Sequence, residues 1–321
     1  MAGSIFDPKR TLEERRQAAV NLFDFLVRGG MADTRRMPSE VIDDGPQCTL
    51  HRYEPANGGE PSGLPVLLVP PLGAPATCMD LRRGCSLAEH LITQGRPTYL
   101  VDYGAIGFSD KRLGLEHWIR DVVPTAIRKV SDDRAGEQVQ LVGWCMGGIF
   151  SLISVAAFPG LPVNAVAMVA SPFDFTSVSL GDPLRQIYRL TGGNVVGTAI
   201  RALGGAPARI VGAGFKATAL TTYLKKPITL MRHRDDREFL AHIEAVDGLM
   251  DNMYAYPGRA MGQAYHRLFH KNELATGTIA GPTRMVELAD VRVPVMNVAG
   301  CNDVLAPLSA VHHVGDLLPN A

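Results

Sequence analysis

Gly143-Trp144-Cys145-Met146-Gly147 is the segment of this 321-residue chain whose residue types and spacing most directly allow covalent chemistry. A thiol stands between two glycines, after an apolar run (Gln138–Val142) and before a helical pattern that opens at Gly148. A G-x-nucleophile-x-G turn from strand to helix holds its central residue in strained backbone geometry at the C-terminal edge of a sheet. Glycine is required on both sides because a Cβ would collide with the neighbouring strand or helix. A cysteine at a helix N-terminus is expected to have a lowered thiol pKa and a larger share of nucleophilic thiolate. With 33 glycines and 5 cysteines, composition alone yields Gly-x-Cys-x-Gly about 0.05 times, which favours an elbow over a small buried cysteine in a glycine-rich turn.

Such a nucleophile needs an orienting acid and donors for an oxyanion. Asp303, in Ala299-Gly300-Cys301-Asn302-Asp303, follows the last apolar run and fits the chain order nucleophile, acid, base. By itself Asp303 reads equally well as a turn residue or helix cap. Asp174, after the run Ala165–Ala170, is the fallback acid. One oxyanion donor is expected to be the amide of Met146, the other to come from Pro70-Pro71-Leu72-Gly73-Ala74. Proline has no N–H, so Leu72 or Gly73 is the candidate.

The elements that must position these groups alternate. Val66–Val69, Thr98–Val101, Gln138–Val142 and Ala165–Ala170 read as short apolar strands, with Cys48–Tyr53 before them. Between them lie helical patterns at Ser86–Gln94, Leu115–Lys129 (Trp118, Ile119, Val122, Val123 and Ile127 inward) and Gly148–Phe158. That rhythm predicts a mostly parallel sheet with helices on both faces. It stops after Pro172, where helical patches run without intervening strands until Val293–Ala299. The expected division is an N-terminal helical segment (1–45), a first part of the core (46–175), a mostly helical cap (176–290) and a last part of the core (291–321). Thr11 and Glu14 form a capping-box pattern at the first helix, which Gly29-Gly30 ends.

Lys plus Arg and Asp plus Glu are 32 each, so no net field draws the chain to nucleic acid or an anionic membrane. Five irregularly spaced cysteines form neither a disulfide framework nor a zinc motif, so reduced thiols and a cytoplasmic setting are expected. The uncharged stretch Leu141–Phe173 is broken by Gly143, Gly147, Gly148, Pro159, Gly160 and Pro162, which suits a buried crossover better than a membrane span. Gly181–Arg234 is locally basic: Arg185, Arg189, Arg201, Arg209, Lys216, Lys225, Lys226, Arg232 and Arg234 stand against Asp182 alone. This is a solvated helical face or a docking surface for an anionic group such as the phosphates of coenzyme A.

GWCMGG (143–148), LHRYEP (50–55), TYLVDYG (98–104), SPFDF (171–175) and the stretch 268–307 ending in VAGCNDVLAP resemble the polyhydroxyalkanoate synthases of the α/β-hydrolase superfamily. The resemblance covers about residues 45–175 and 250–315. It implies an α/β-hydrolase fold with a helical cap, Cys145 as acyl-accepting nucleophile, Asp303 as orienting acid, and acyl thioesters, acyl-CoA among them, as substrates. No metal or redox cofactor is implied. A homo-oligomer and contact of the cap with a lipid surface stay open.

Two departures bear on activity. The family's histidine follows its acid by roughly 25–30 residues, whereas Ala321 lies 18 residues beyond Asp303. The expectation is therefore a chain that stops before its catalytic base. His312 and His313 read as surface or helix-end residues, and the other histidines precede the acid. Leu249-Met250-Asp251-Asn252 also lacks the tryptophan that the synthases carry before the segment matched by Tyr256-Pro257-Gly258. The readings are a cysteine-dependent acyltransferase, a thioesterase or lipase-like hydrolase using the same residues, or an inactive module of a larger protein.

Overall fold

The computed structural model describes residues 11–27, 30–178, 204–218, 220–280 and 285–321. Val66–Val69 is buried at every position, as a strand covered on both faces must be, and forms β3 at the centre of a seven-stranded sheet. The other six strands of the sheet are β1 (Ser39–Gly45), β2 (Cys48–Tyr53), β4 (Thr98–Asp102), β5 (Val139–Trp144), β6 (Val163–Val169) and β11 (Val295–Val298). The spatial order is β1-β2-β4-β3-β5-β6-β11, antiparallel through β1, β2 and β4 and parallel from there on. The chain runs outward from β3 to β4 and then returns to the other side of β3 as β5. The loops after β3 and β5 therefore flank the switch point, where open parallel sheets hold their ligands.

Register decides what meets at that edge. Trp144 is level with Val169, and Val169 is level with Val298. Cys145 and the segment after Val298 thus leave the sheet from the same end. β1 was not legible: its seven residues are exposed or half-buried, and it exists because Gln47, at φ 50, turns it back onto β2. β11 ends the sheet, and among the described residues no strand pairs with its outer side; Met296 and Val298 are exposed there.

The crossovers are helical. α2 (Leu87–Thr93) begins at Ser86, whose side chain accepts from Glu89 N–H. α3 (Leu115–His117) runs through a π-helical turn at Trp118–Val122 into α4 (Val123–Asp133), a longer helix than the sequence pattern suggests. All five residues expected to face inward are buried. Trp118 stacks on Phe150 at 6.1 Å and meets Tyr103 edge-on at 6.2 Å. α5 (Met146–Ala157) is buried along nearly its whole length between strand and crossover.

The segment between β6 and β11 contains α6 (Ala208–Thr218), α7 (Leu220–Arg232), α8 (Arg237–Asp251) and α9 (Gly258–Gln263). The expectation that it lacks strands is corrected. β7 (Gly205–Ala206) pairs with β8 (Tyr256–Pro257), and β9 (Thr278–Ala280) pairs with β10 (Met285–Glu287). Ladders of two and three residues are too short to show alternation, and only tertiary pairing makes them. Arg185, Arg189, Arg201 and Gly192-Gly193 lie outside the described residues. No helix among the described residues is long and apolar enough to cross a membrane.

α1 (Leu12–Val27) carries the expected reciprocal cap, Thr11 N–H to Glu14 and Glu14 N–H to Thr11. Its apolar periodicity does not decide its docking: Leu12, Leu22, Phe23 and Phe25 are exposed, while Ala18, Asn21 and Asp24 are buried. Directional polar contacts hold it. Asp24 pairs with Arg237, and Asn21 donates to the Arg234 carbonyl at 2.9 Å. Glu244 accepts from Met31 N–H at 2.7 Å and Ala32 N–H at 3.2 Å. Between α1, α7 and α8 lies an apolar cavity of about 590 Å³, lined by Leu22, Phe25, Leu230, Leu240 and Ile243. Replacing Asp24 by Ala leaves Arg237 without its buried acceptor and should cost about 1–3 kcal/mol, read as a lower urea midpoint with an unchanged m-value.

Candidate active site

Cys145 has φ 53 and ψ −117, a conformation that a residue with a side chain rarely adopts and one that costs about 1–3 kcal/mol. Its neighbours leave no alternative. A Cβ on Gly143 would lie 2.5 Å from the Gly148 backbone, and one on Gly147 would lie 2.2 Å from the Val69 carbonyl oxygen. A Cβ on Gly148 would lie 2.2 Å from Ser171 Oγ. The strand and helix therefore approach each other more closely than any other residue type permits. Cys145 N–H donates to Val169 O at 2.8 Å, and its carbonyl accepts from Ser171 Oγ at 2.8 Å, Gly148 N–H at 3.1 Å and Ile149 N–H at 3.2 Å. Ser171 is fully buried.

The oxyanion donors are expected from Met146 and from the loop after β3, whose Val69 and Pro70 lie against Gly147. The Met146 amide favours the Cys145 thiolate. Leu72 is buried in the loop after β3, at the switch point, and Gly73 follows at φ +86. Among the described residues neither Leu72 N–H nor Gly73 N–H donates a hydrogen bond.

Asp303 lies close enough to act electrostatically on the thiol. Its Oδ1 accepts from Leu305 N–H at 2.8 Å and Ala306 N–H at 2.9 Å, so it does form the turn that its sequence context allowed. Its second oxygen has no hydrogen-bond partner among the described residues. Asp174, the fallback acid, is consumed locally. It accepts from Thr176, Ser177 and Asn272, and these bonds hold its carboxyl below the ordinary range against the opposing effect of burial.

The expected low thiol pKa is corrected. Burial pushes the Cys145 thiol up to about 11, with Asp303 adding to the rise and the Met146 amide offsetting only part of it. A helix terminus supplies one turn of amide dipoles, and removal from water outweighs it.

Among the described residues no histidine is hydrogen-bonded to Cys145 or Asp303. His313 Nε2 donates to Ala275 O at 3.0 Å, and His312 is exposed, as the sequence reading expected of both. His117 pairs with Asp121, His233 stacks on Phe239, and His242 Nδ1 lies 3.7 Å from Cys85 Sγ. Sequence reading missed Ser171, present within SPFDF as a motif letter only, and Tyr256, whose phenol donates to Leu72 O. No signal in the sequence marks a side chain that acts on a loop 184 residues away.

Strand order, elbow and switch-point loop define an α/β-hydrolase. No protein-family model matches the chain. It is 24% identical over 288 residues to the poly(3-hydroxyalkanoate) polymerase subunit PhaC of Thiocystis violacea, covering 89% of this chain and 79% of that one. The corresponding subunit of Synechocystis sp. is 26% identical over 303 residues, covering 88% and 75%. That of Haloferax mediterranei is 24% identical over 290 residues, covering 89% and 57%. Among solved structures the chain is similar to alpha/beta hydrolase domain-containing protein 10 from mouse (TM-score 0.47, 14% identity, 88% and 85% covered). It is also similar to the enol-lactonase from Burkholderia xenovorans LB400 (TM-score 0.41, 14% identity, 88% and 89% covered). The chain has the α/β-hydrolase fold and is similar along most of its length to poly(3-hydroxyalkanoate) polymerase subunits.

Two outcomes follow from the elbow. Gly147→Ala should lose about 1–3 kcal/mol through overpacking against the Val69 carbonyl, seen as a lower melting temperature. Because the thiol stays protonated until pH nears about 11, alkylation of Cys145 by iodoacetamide should rise about tenfold per pH unit from pH 8 to 10. A plateau near pH 8, followed by peptide mass spectrometry, would contradict this.

Proposed function

We propose that the chain is a cysteine-dependent acyltransferase acting on hydroxyacyl thioesters of the coenzyme A type. The observation that carries this reading is the position of Cys145: a thiol in elbow geometry, at the sheet edge where Asp303 and the unspent Leu72 and Gly73 amides also lie. The relatives, named poly(3-hydroxyalkanoate) polymerase subunits, support the substrate class.

In this reading Cys145 attacks the thioester carbonyl, forming a new thioester on the enzyme as the coenzyme A thiol leaves. Met146 N–H and Leu72 N–H stabilise the tetrahedral oxyanion. The thiol proton leaves Cys145 as the new bond forms and ends on the departing coenzyme A thiol; no histidine among the described residues reaches Cys145, and the free oxygen of Asp303 would orient a base placed there. The acyl group is then transferred to an alcohol, such as the hydroxyl of a growing hydroxyacyl chain. The division into a core (46–175 and 291–321) and a cap (176–290) belongs to the same proposal, with the cap covering the acyl group. Leu224, Ile228 and Met231, exposed at i, i+4 and i+7 on α7 beside Lys225, support contact of the cap with a lipid surface. A hydrolase is the second reading, favoured by the absence of tryptophan at 249–252.

Incubation with 3-hydroxybutyryl-CoA separates these readings. Acyl transfer gives free coenzyme A together with ester-linked oligomers, whereas hydrolysis gives free coenzyme A and hydroxy acid. Cys145→Ala should abolish both, and Asp303→Asn should lower kcat about ten-thousand-fold if its role is to orient the base. Coenzyme A release that persists in Cys145→Ala would sink the reading.

A further inference from the structure

The loop after β3 holds its carbonyls and its amides differently. Pro70 O accepts from Tyr103 OH at 2.9 Å, Pro71 O from Ala74 N–H at 3.3 Å, and Gly73 O from Tyr254 N–H at 2.7 Å. Leu72 O accepts from Tyr256 OH. All four consecutive carbonyls are thus engaged, while the loop's only two amides before Ala74, those of Leu72 and Gly73, are not. Two of the four anchors come from β8 and the residues before it, in the segment between β6 and β11. Tyr256 also covers Gly73: a Cβ there would lie 2.2 Å from the tyrosine Cε2. Tyr256 is half-buried, and its phenol lies close enough to Cys145 for the two groups to interact electrostatically. β8 is itself locked by pairing with β7, where a Cβ on Gly205 would lie 2.1 Å from Tyr256 O.

We infer that Tyr256 is the positioning residue of the oxyanion loop: its hydroxyl pins the Leu72 carbonyl and its ring closes over Gly73, so that the Leu72 amide is held toward the acyl group on Cys145. This rests on the acyl-transfer reading and adds what makes its oxyanion donor rigid. A preorganised donor stabilises developing charge because it does not reorient during the reaction. Loosening the Leu72 peptide should therefore affect the transition state more than substrate binding. Tyr256 acts through Leu72 and touches no reacting atom in this scheme.

Tyr256→Phe keeps the ring over Gly73 and removes only the hydroxyl. The expected result with 3-hydroxybutyryl-CoA is a fall in kcat of about tenfold to hundredfold, with KM within twofold and the melting temperature nearly unchanged. Hydrogen–deuterium exchange should quicken in the peptide covering residues 70–74, a readout that needs no turnover. Unchanged exchange in that peptide overturns the inference, and so does an unchanged kcat in an active chain. A parallel loss of kcat and melting temperature assigns Tyr256 to packing alone and also overturns it. A wild-type chain without turnover, whose loop nonetheless loosens in Tyr256→Phe, overturns the acyl-transfer reading and leaves the loop anchor in place.

Discussion

The backbone of Cys145 is the constraint from which the rest of the site follows. At φ 53 and ψ −117 it lies where a side chain is strained, and that strain of about 1–3 kcal/mol persists only because its surroundings over-determine it. Val169 O takes the amide, Ser171 takes the carbonyl, and α5 begins at once on the far side. Gly143, Gly147 and Gly148 are the condition for this, since each presses against backbone or a buried hydroxyl closer than a Cβ could. The elbow then fixes which loops are neighbours. Val69 and Pro70 lie against Gly147, so the loop after β3 must pass directly over the nucleophile.

The same enclosure explains the state of the thiol. Burial away from water disfavours thiolate, hence the rise to about 11. At rest Cys145 is a neutral thiol, so in the proposed attack its proton must leave as the bond forms. Asp303 makes this more pronounced, because a carboxylate near an unpaired thiolate repels it. Its charge becomes favourable only when a cation forms between the two groups, which is the role an acid has in a nucleophile–imidazole–acid arrangement. The neutral thiol also resists oxidation, which proceeds through thiolate.

Much of the core was legible because it depends on local pattern. Val66–Val69 is apolar throughout because it is covered on both faces, and Trp118, Ile119, Val122, Val123 and Ile127 recur at helical spacing because one face of α3–α4 is buried. The elbow was legible because glycines at fixed distances from a nucleophile have few other uses. What escaped depends on contacts remote in sequence. β1 shows no apolar alternation, and β7 with β8 contains four residues in all. In α1 the buried Asn21 and Asp24 find specific partners on the Arg234 carbonyl and on Arg237, which no local pattern marks. The thiol pKa was read from the helix terminus, a local feature, and reversed by burial, which is a property of the whole fold.

Those remote contacts form one connected path. α1 is tied to α8 through Asp24 and Arg237, and the residues after α1 are tied to the same helix through Glu244. α8 ends at Asp251, and two residues later Met253 is buried with Ala74 and Val211. Tyr254 and Tyr256 then take the carbonyls of Gly73 and Leu72. Hydrogen bonds and ion pairs are directional, so they transmit the position of one element to the next more tightly than apolar contact of equal area does. A shift of α8 along its axis would therefore be felt at Leu72 within the span of a short extended segment. The core supplies the Cys145 elbow by itself, but the loop after β3 is held from the segment between β6 and β11. The proposed oxyanion donors thus lie in a loop whose carbonyls are anchored by an element outside the sheet.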